Sequence, residues 1–186
     1  MTSFGNRTFL QTLAATLAEN ELFDGEGDIF SQEGDDGGRR YQAVFKARFD
    51  DMVNLVVTLP TATTNIYLTV TEGDPALVRR VLAAIEDQER EVAVNLGNVL
   101  LLSDRQLDER AICGVLFLFP HTFNCLDVLP GGLHVDGVDY RFLSVVFLTI
   151  DEHRIWKEQG HDVLMDHWTE TEHDLIRFGA DPPGRA

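Results

Sequence analysis

The sequence predicts an α+β (mixed α/β) fold: a central, mostly antiparallel β-sheet with helices packed on its faces. Three observations predict it. Residues 41–73 hold successive strand-like runs, opening with the period-two stretch YQAVFKARF. A proline-opened amphipathic helix follows in GDPALVRRVLAAIEDQERE. Two later stretches, AICGVLFLFP and RFLSVVFLTI, are apolar at nearly every position. Alternation marks a strand with one buried face, whereas a continuous apolar run bounded by turns marks a strand covered on both. Such strands belong at the centre of a sheet with layers on either side.

Taken in order, Phe9, Leu10, Leu13 and Leu17 follow helical spacing, with Asn6 or Thr8 as the cap. The stretch 24–40, DGEGDIFSQEGDDGGRR, is rich in glycine and acid and is expected to be a mobile acidic loop. Its spacing departs from that of a calcium-binding loop, because Ile29 stands where the turn glycine would be needed. Its acids Glu33, Asp35 and Asp36 are the candidate partner-binding residues. In YQAVFKARF, Tyr41, Ala43, Phe45, Ala47 and Phe49 are expected on a buried face and Gln42, Lys46 and Arg48 on the other. DMVNLVVTLP and NIYLTVTEG complete a three-strand antiparallel meander, turned by PTATTN.

In the helix after the meander, Asp74 is the cap and Pro75 takes the first helical position. Leu77, Val78, Val81, Leu82 and Ile85 make its apolar stripe; Arg79, Arg80, Glu86 and Glu89 read as its solvated face. Turn signals stand at Pro130-Gly131-Gly132 and at Asp136-Gly137, the latter closing a hairpin. Thr149 with Glu152 fits a capping box, Asp151 being an alternative cap. A short helix then stops at Gly160, and HDVLMDHWTETEHDLIRFG reads as a second helix that turns Val163, Leu164, Trp168 and Leu175 inward. Residues 180–186 are expected to fray, and the 186 residues to form one domain.

The formal charge is −16, from 31 acids against 15 Lys and Arg. Such a surface repels phosphate backbones, which argues against nucleic acid and favours a basic protein partner; it also serves solubility alone. No apolar segment reaches the roughly 18 residues of a membrane helix. The N-terminus lacks a basic region followed by an apolar core, so no signal peptide is read and a cytoplasmic protein is expected. Oligomeric state is left open.

No phosphate loop and no G-x-S-x-G elbow are present. Ser144 lies within a buried strand and reads as a core serine. Cys113 and Cys125 sit in apolar surroundings and read as buried free thiols; His121 near Cys125 does not make an electropositive setting for a nucleophile. His153, His161, His167 and His173 are spaced by eight, six and six residues. Six residues are about 600° of helical rotation, so successive imidazoles diverge, whereas a zinc pair needs i, i+4. His153, His161 and His167 with Glu170 remain the alternative, a metal-dependent hydrolase; no metal and no cofactor is expected.

The segment GVDYRFLSVVFLTIDEHRIWKEQGHDVLMDHW resembles the suppressor-of-fused-like domain family, especially its bacterial members. The positions that carry the resemblance are Phe147, Leu148, Glu152, Gly160, Val163 and Leu164, and the likeness extends over residues 75–170. The resemblance implies a mixed α/β fold that binds another protein and catalyses nothing. The animal member sequesters zinc-finger transcription factors, and bacterial relatives include immunity proteins of toxin systems. With the −16 charge, this leads to the expectation of an acidic immunity protein that neutralises a basic toxin.

Overall fold

Eight strands make one mixed sheet in the computed structural model, which describes residues 5–176 except 20, 22, 25, 62, 73 and 128. The strands are β1 (Asp28–Glu33), β2 (Arg39–Lys46), β3 (Asn54–Leu59), β4 (Asn65–Thr71), β5 (Val99–Leu101), β6 (Ile112–Leu118), β7 (Gly132–Val135) and β8 (Val138–Thr149). Their spatial order is β1-β2-β3-β4-β8-β6-β5, and β7 pairs with the first part of β8. Every pairing is antiparallel except β4–β8. The mostly antiparallel α+β fold and the β2-β3-β4 meander expected from the sequence are therefore present. Part of the stretch expected as a loop is strand: Asp28–Glu33 pairs with β2 from Asp28↔Val44 to Glu33↔Arg39.

The long apolar runs are central, for the reason their composition suggests. Along β8, Phe142, Val146 and Leu148 enter the core on one side, and Leu143, Val145 and Phe147 the core on the other. Strand β6 divides likewise, Leu116 and Leu118 against Val115 and Phe117. One layer is built by α1 (Arg7–Glu19), α4 (Ile150–Gln159) and α5 (His161–Glu170), the other by α2 (Pro75–Glu89) and the single-turn α3 (Arg105–Asp108). Burying a side chain such as Leu164 or Phe142 stabilises the fold by about 1.5–3 kcal/mol. No helix among the described residues is long and apolar enough to cross a membrane.

The local signals act as their chemistry requires. Asn6 accepts from Phe9 N at 2.9 Å and caps α1. Asp74 accepts from Ala76 N and caps α2, with Pro75 first in the helix. Thr149 and Glu152 make both halves of a capping box on α4. Gly160 has φ +96°, which lets the chain leave α4 and enter α5 without a Cβ clash. Asp136 and Gly137 both have positive φ in the two-residue β7–β8 turn.

Several expectations are corrected. Strand β2 ends at Lys46, and Phe49 lies in the turn beyond it, 52% exposed. Gln42, expected on the exposed face of β2, is 0% exposed, because α2 covers that face too. Glu86 is 3% exposed rather than solvated: it lies four residues beyond Leu82 and shares its core-facing stripe. Helix α5 stops at Glu170, where Glu172 at φ +49° reverses the chain, and Val163 faces outward at 38% exposure. The tail 180–186 lies outside the described residues.

Candidate functional site

The acids proposed for a partner lie around the β1–β2 turn. Glu33 ends β1 and is exposed, and Asp35 and Asp36 occupy the turn itself. The turn is tied to α2 rather than free. Arg40, almost wholly buried, reaches Asp36 at 2.9 Å and Asp87 at 2.5 Å. Arg90 also pairs with Asp36, and Asp35 N donates to Asp87 Oδ2 at 3.2 Å. A pocket of about 560 Å³ opens here, with Asp35, Asp36, Asp87 and Glu91 beside Arg90 and a lone apolar Val92. Two arginines already neutralise part of this charge, so Glu33 and Asp35 carry more of the turn's outward negative potential than Asp36 does.

Beneath that turn the α2–sheet interface becomes polar. Arg40 and Gln42 of β2, Thr58 of β3 and Asn65 of β4 are buried under α2 along with Glu86. The Thr58 hydroxyl accepts from Tyr67 N, and Asn65 bridges Arg141 Nε to Glu89. Among the described residues, both amide atoms of Gln42 and Oε2 of Glu86 find no hydrogen-bond partner. Burial pushes the Glu86 carboxyl up to about 8, against the pull of Arg40. Burial and then Glu89 hold the Tyr67 hydroxyl well above its ordinary value.

A second opening lies on the other face of the sheet. Phe49, Phe123, Met165, Trp168, Leu175 and Ile176 line a cleft of about 500 Å³ with a mainly apolar floor. Its walls are held from behind. Trp168 Nε1 donates to Glu152 Oε1 at 2.6 Å, and the other carboxylate oxygen accepts from Thr149 N and Thr149 Oγ1. His173 Nε2 lies 3.2 Å from the same Glu152 Oε1, and its ring stacks on Trp168. Glu72 N donates to Ile176 O at 2.8 Å, which clamps the segment after α5 against the end of β4. Phe49 meets the buried Phe23 edge-on at 6.3 Å.

The remaining candidates stay apart. His153 stacks on Trp156, and His121 on Phe119. His161 Nδ1 is buried without a partner among the described residues. His167 sits on α5 with Glu170 at the helix end. Among the described residues no group of three or more His, Cys, Asp or Glu side chains is gathered as a metal ion would need. Both cysteines are free; burial raises the Cys113 thiol and pushes that of Cys125 up to about 11, so neither is a thiolate near neutrality.

Sequence reasoning missed the cleft and the buried Glu86. The cleft joins the β2–β3 turn, the 3-10 turns at Pro120–Thr122 and Asn124–Leu126, and α5 with the segment after it, three regions far apart in the chain. No local pattern links them. For Glu86 a signal existed in the four-residue steps Val78, Leu82, Glu86.

No protein-family model matches the chain, and no curated protein does. Among solved structures it is similar to one described as a SUFU (suppressor of fused protein) homologue from Neisseria gonorrhoeae. The identity is 11%, the TM-score 0.62, and the match covers 97% of this chain and 100% of that one. It also matches the Sufu–Fu complex at 11% identity and a TM-score of 0.45, over 88% of this chain and 78% of that one. The fold of this chain is thus the one that the suppressor-of-fused resemblance implies.

Proposed function

We propose that the chain is a non-catalytic domain that binds another protein, and that it acts in the cytoplasm as a single domain, as an immunity protein against a basic toxin. The observation that supports this reading most is the pairing of an open apolar cleft with a surface of net charge −16. Apolar anchors surrounded by polar residues make a protein-binding hot spot, and opposite potentials accelerate encounter and suppress wrong partners. The suppressor-of-fused-like fold supports the protein-binding part. The −16 charge argues against nucleic acid as the ligand.

Affinity capture on the purified protein tests it, at low and at high salt. A basic protein that is retained at 50 mM salt and released by several hundred millimolar, and whose toxicity the chain suppresses on co-expression, is the expected result. Recovery of no partner, together with stoichiometric zinc or iron and turnover of a small substrate, would establish the metal-dependent hydrolase instead.

A further inference from the structure

We infer that the cleft beside α5 is the docking site for a basic segment of the partner protein, which inserts an aromatic or long aliphatic side chain between Phe49 and Trp168. This rests on the protein-binding reading and names where and what that protein touches.

The cleft differs from the pocket at the β1–β2 turn in the property that matters. Both are of similar size, but in the turn pocket Asp36 and Asp87 are already paired with arginine, and Val92 is its single apolar member. The cleft offers the rings of Phe49, Phe123 and Trp168 together with Met165, Leu175 and Ile176. Met165 is half-buried, and a thioether on an unbranched chain adapts to the shape of an incoming group. Phe49 forms an exposed lip that rests edge-on against Phe23, while Trp168 is held through Glu152. A volume of about 500 Å³ is within the range of binding pockets.

The rim decides the occupant. Asp50 and Asp51 follow Phe49, Asp127 follows the second 3-10 turn, and Glu170 and Glu172 flank the end of α5; all five are exposed. Arg48, beside Phe49 in the chain, is paired with Asp24. A segment with Lys or Arg on both sides of its anchor places cations over these acids as the anchor leaves water. A second copy of this chain would bring −16 against −16, which disfavours self-association at the rim.

The test uses the full chain and three fluorescent peptides of one length: a Lys-flanked peptide with a central Trp and Leu, the same peptide with both anchors changed to Ser, and a Glu-flanked peptide that keeps the anchors. Anisotropy is read at 50 and 300 mM salt against the wild type and against the Phe49→Ser and Thr169→Lys variants. The expected result is that the anchored basic peptide binds at least tenfold more tightly than either control. Each variant weakens it at least fivefold, and wild type and variants retain one unfolding midpoint. Equal binding of anchored and anchorless basic peptides, or no effect of either variant, would overturn the cleft as the site. A captured partner protein that still binds Phe49→Ser would overturn it too, yet leave the protein-binding reading intact. Dimers by light scattering that Phe49→Ser converts to monomers would replace the basic segment with a second copy.

Discussion

Two glutamates, one on each face of the sheet, are buried almost equally and live in opposite surroundings. Glu152, 5% exposed, accepts from the Thr149 backbone, the Thr149 hydroxyl and the Trp168 indole, and has His173 beside it. Glu86, 3% exposed, leaves Oε2 without a partner among the described residues and holds its proton to about pH 8. Burial costs a carboxylate whatever hydrogen bonds do not return. On the α5 side donors return it and the carboxylate organises the cleft; on the α2 side the group stays neutral instead. Equal burial therefore yields a scaffold in one place and a titrating weak point in the other.

The largest break in this contrast is expected from Glu152→Ala. It strands the Trp168 indole, removes the capping box of α4 and releases His173, and should cost about 4 kcal/mol in denaturant unfolding. Loss of less than about 1 kcal/mol would mean that the carboxylate does not hold the cleft wall. Arg40→Ala leaves Asp87 without its buried cation and should cost about 3 kcal/mol. Because Arg40 holds the Glu86 carboxyl down, the same variant should also raise the pH at which Glu86 ionises.

Glu86→Gln sharpens the comparison through pH. The folded state keeps the Glu86 proton to about pH 8, whereas the unfolded chain releases it near the ordinary glutamate value of 4.5. The native state thus binds more protons between these values, so the contribution is full below about pH 4.5 and is lost as pH rises to about 8. The wild type should lose about 5 kcal/mol across that window through this group. Urea titrations at half-unit pH steps should show Glu86→Gln without that slope; identical slopes would mean that the carboxylate ionises in place with water. The smallest effect is expected at Gly160, whose φ of +96° an alanine resists; Gly160→Ala should lower stability by about 1 kcal/mol in thermal melts.

The parts of the fold that were legible in the sequence are those with a local cause. Asp74-Pro75 opens a helix because a side-chain acceptor and a missing N–H suit its first turn. Thr149 and Glu152 close a box within four residues, and Asp136-Gly137 turns a hairpin. The apolar stretches around Val115 and Val145 could be placed centrally because their composition tolerates no wet face. Of the site, Trp168 and Leu175 were legible as inward residues, but not the cleft they help to line.

By itself, then, the sequence determined the strands other than β1, the caps, the charge and the direction in which each side chain leaves its backbone. Only the tertiary structure decided what stands opposite. Period two puts Gln42 and Phe45 on different sides of β2 but does not say that α2 lies over one of them; helical spacing aligns Glu86 with Leu82 but leaves its partner open. Phe49 is exposed because its strand ends three residues early, and the chain reverses after Glu170 with no glycine there to announce it. Periodicity is a property of neighbouring residues, whereas burial and clefts arise where distant segments meet.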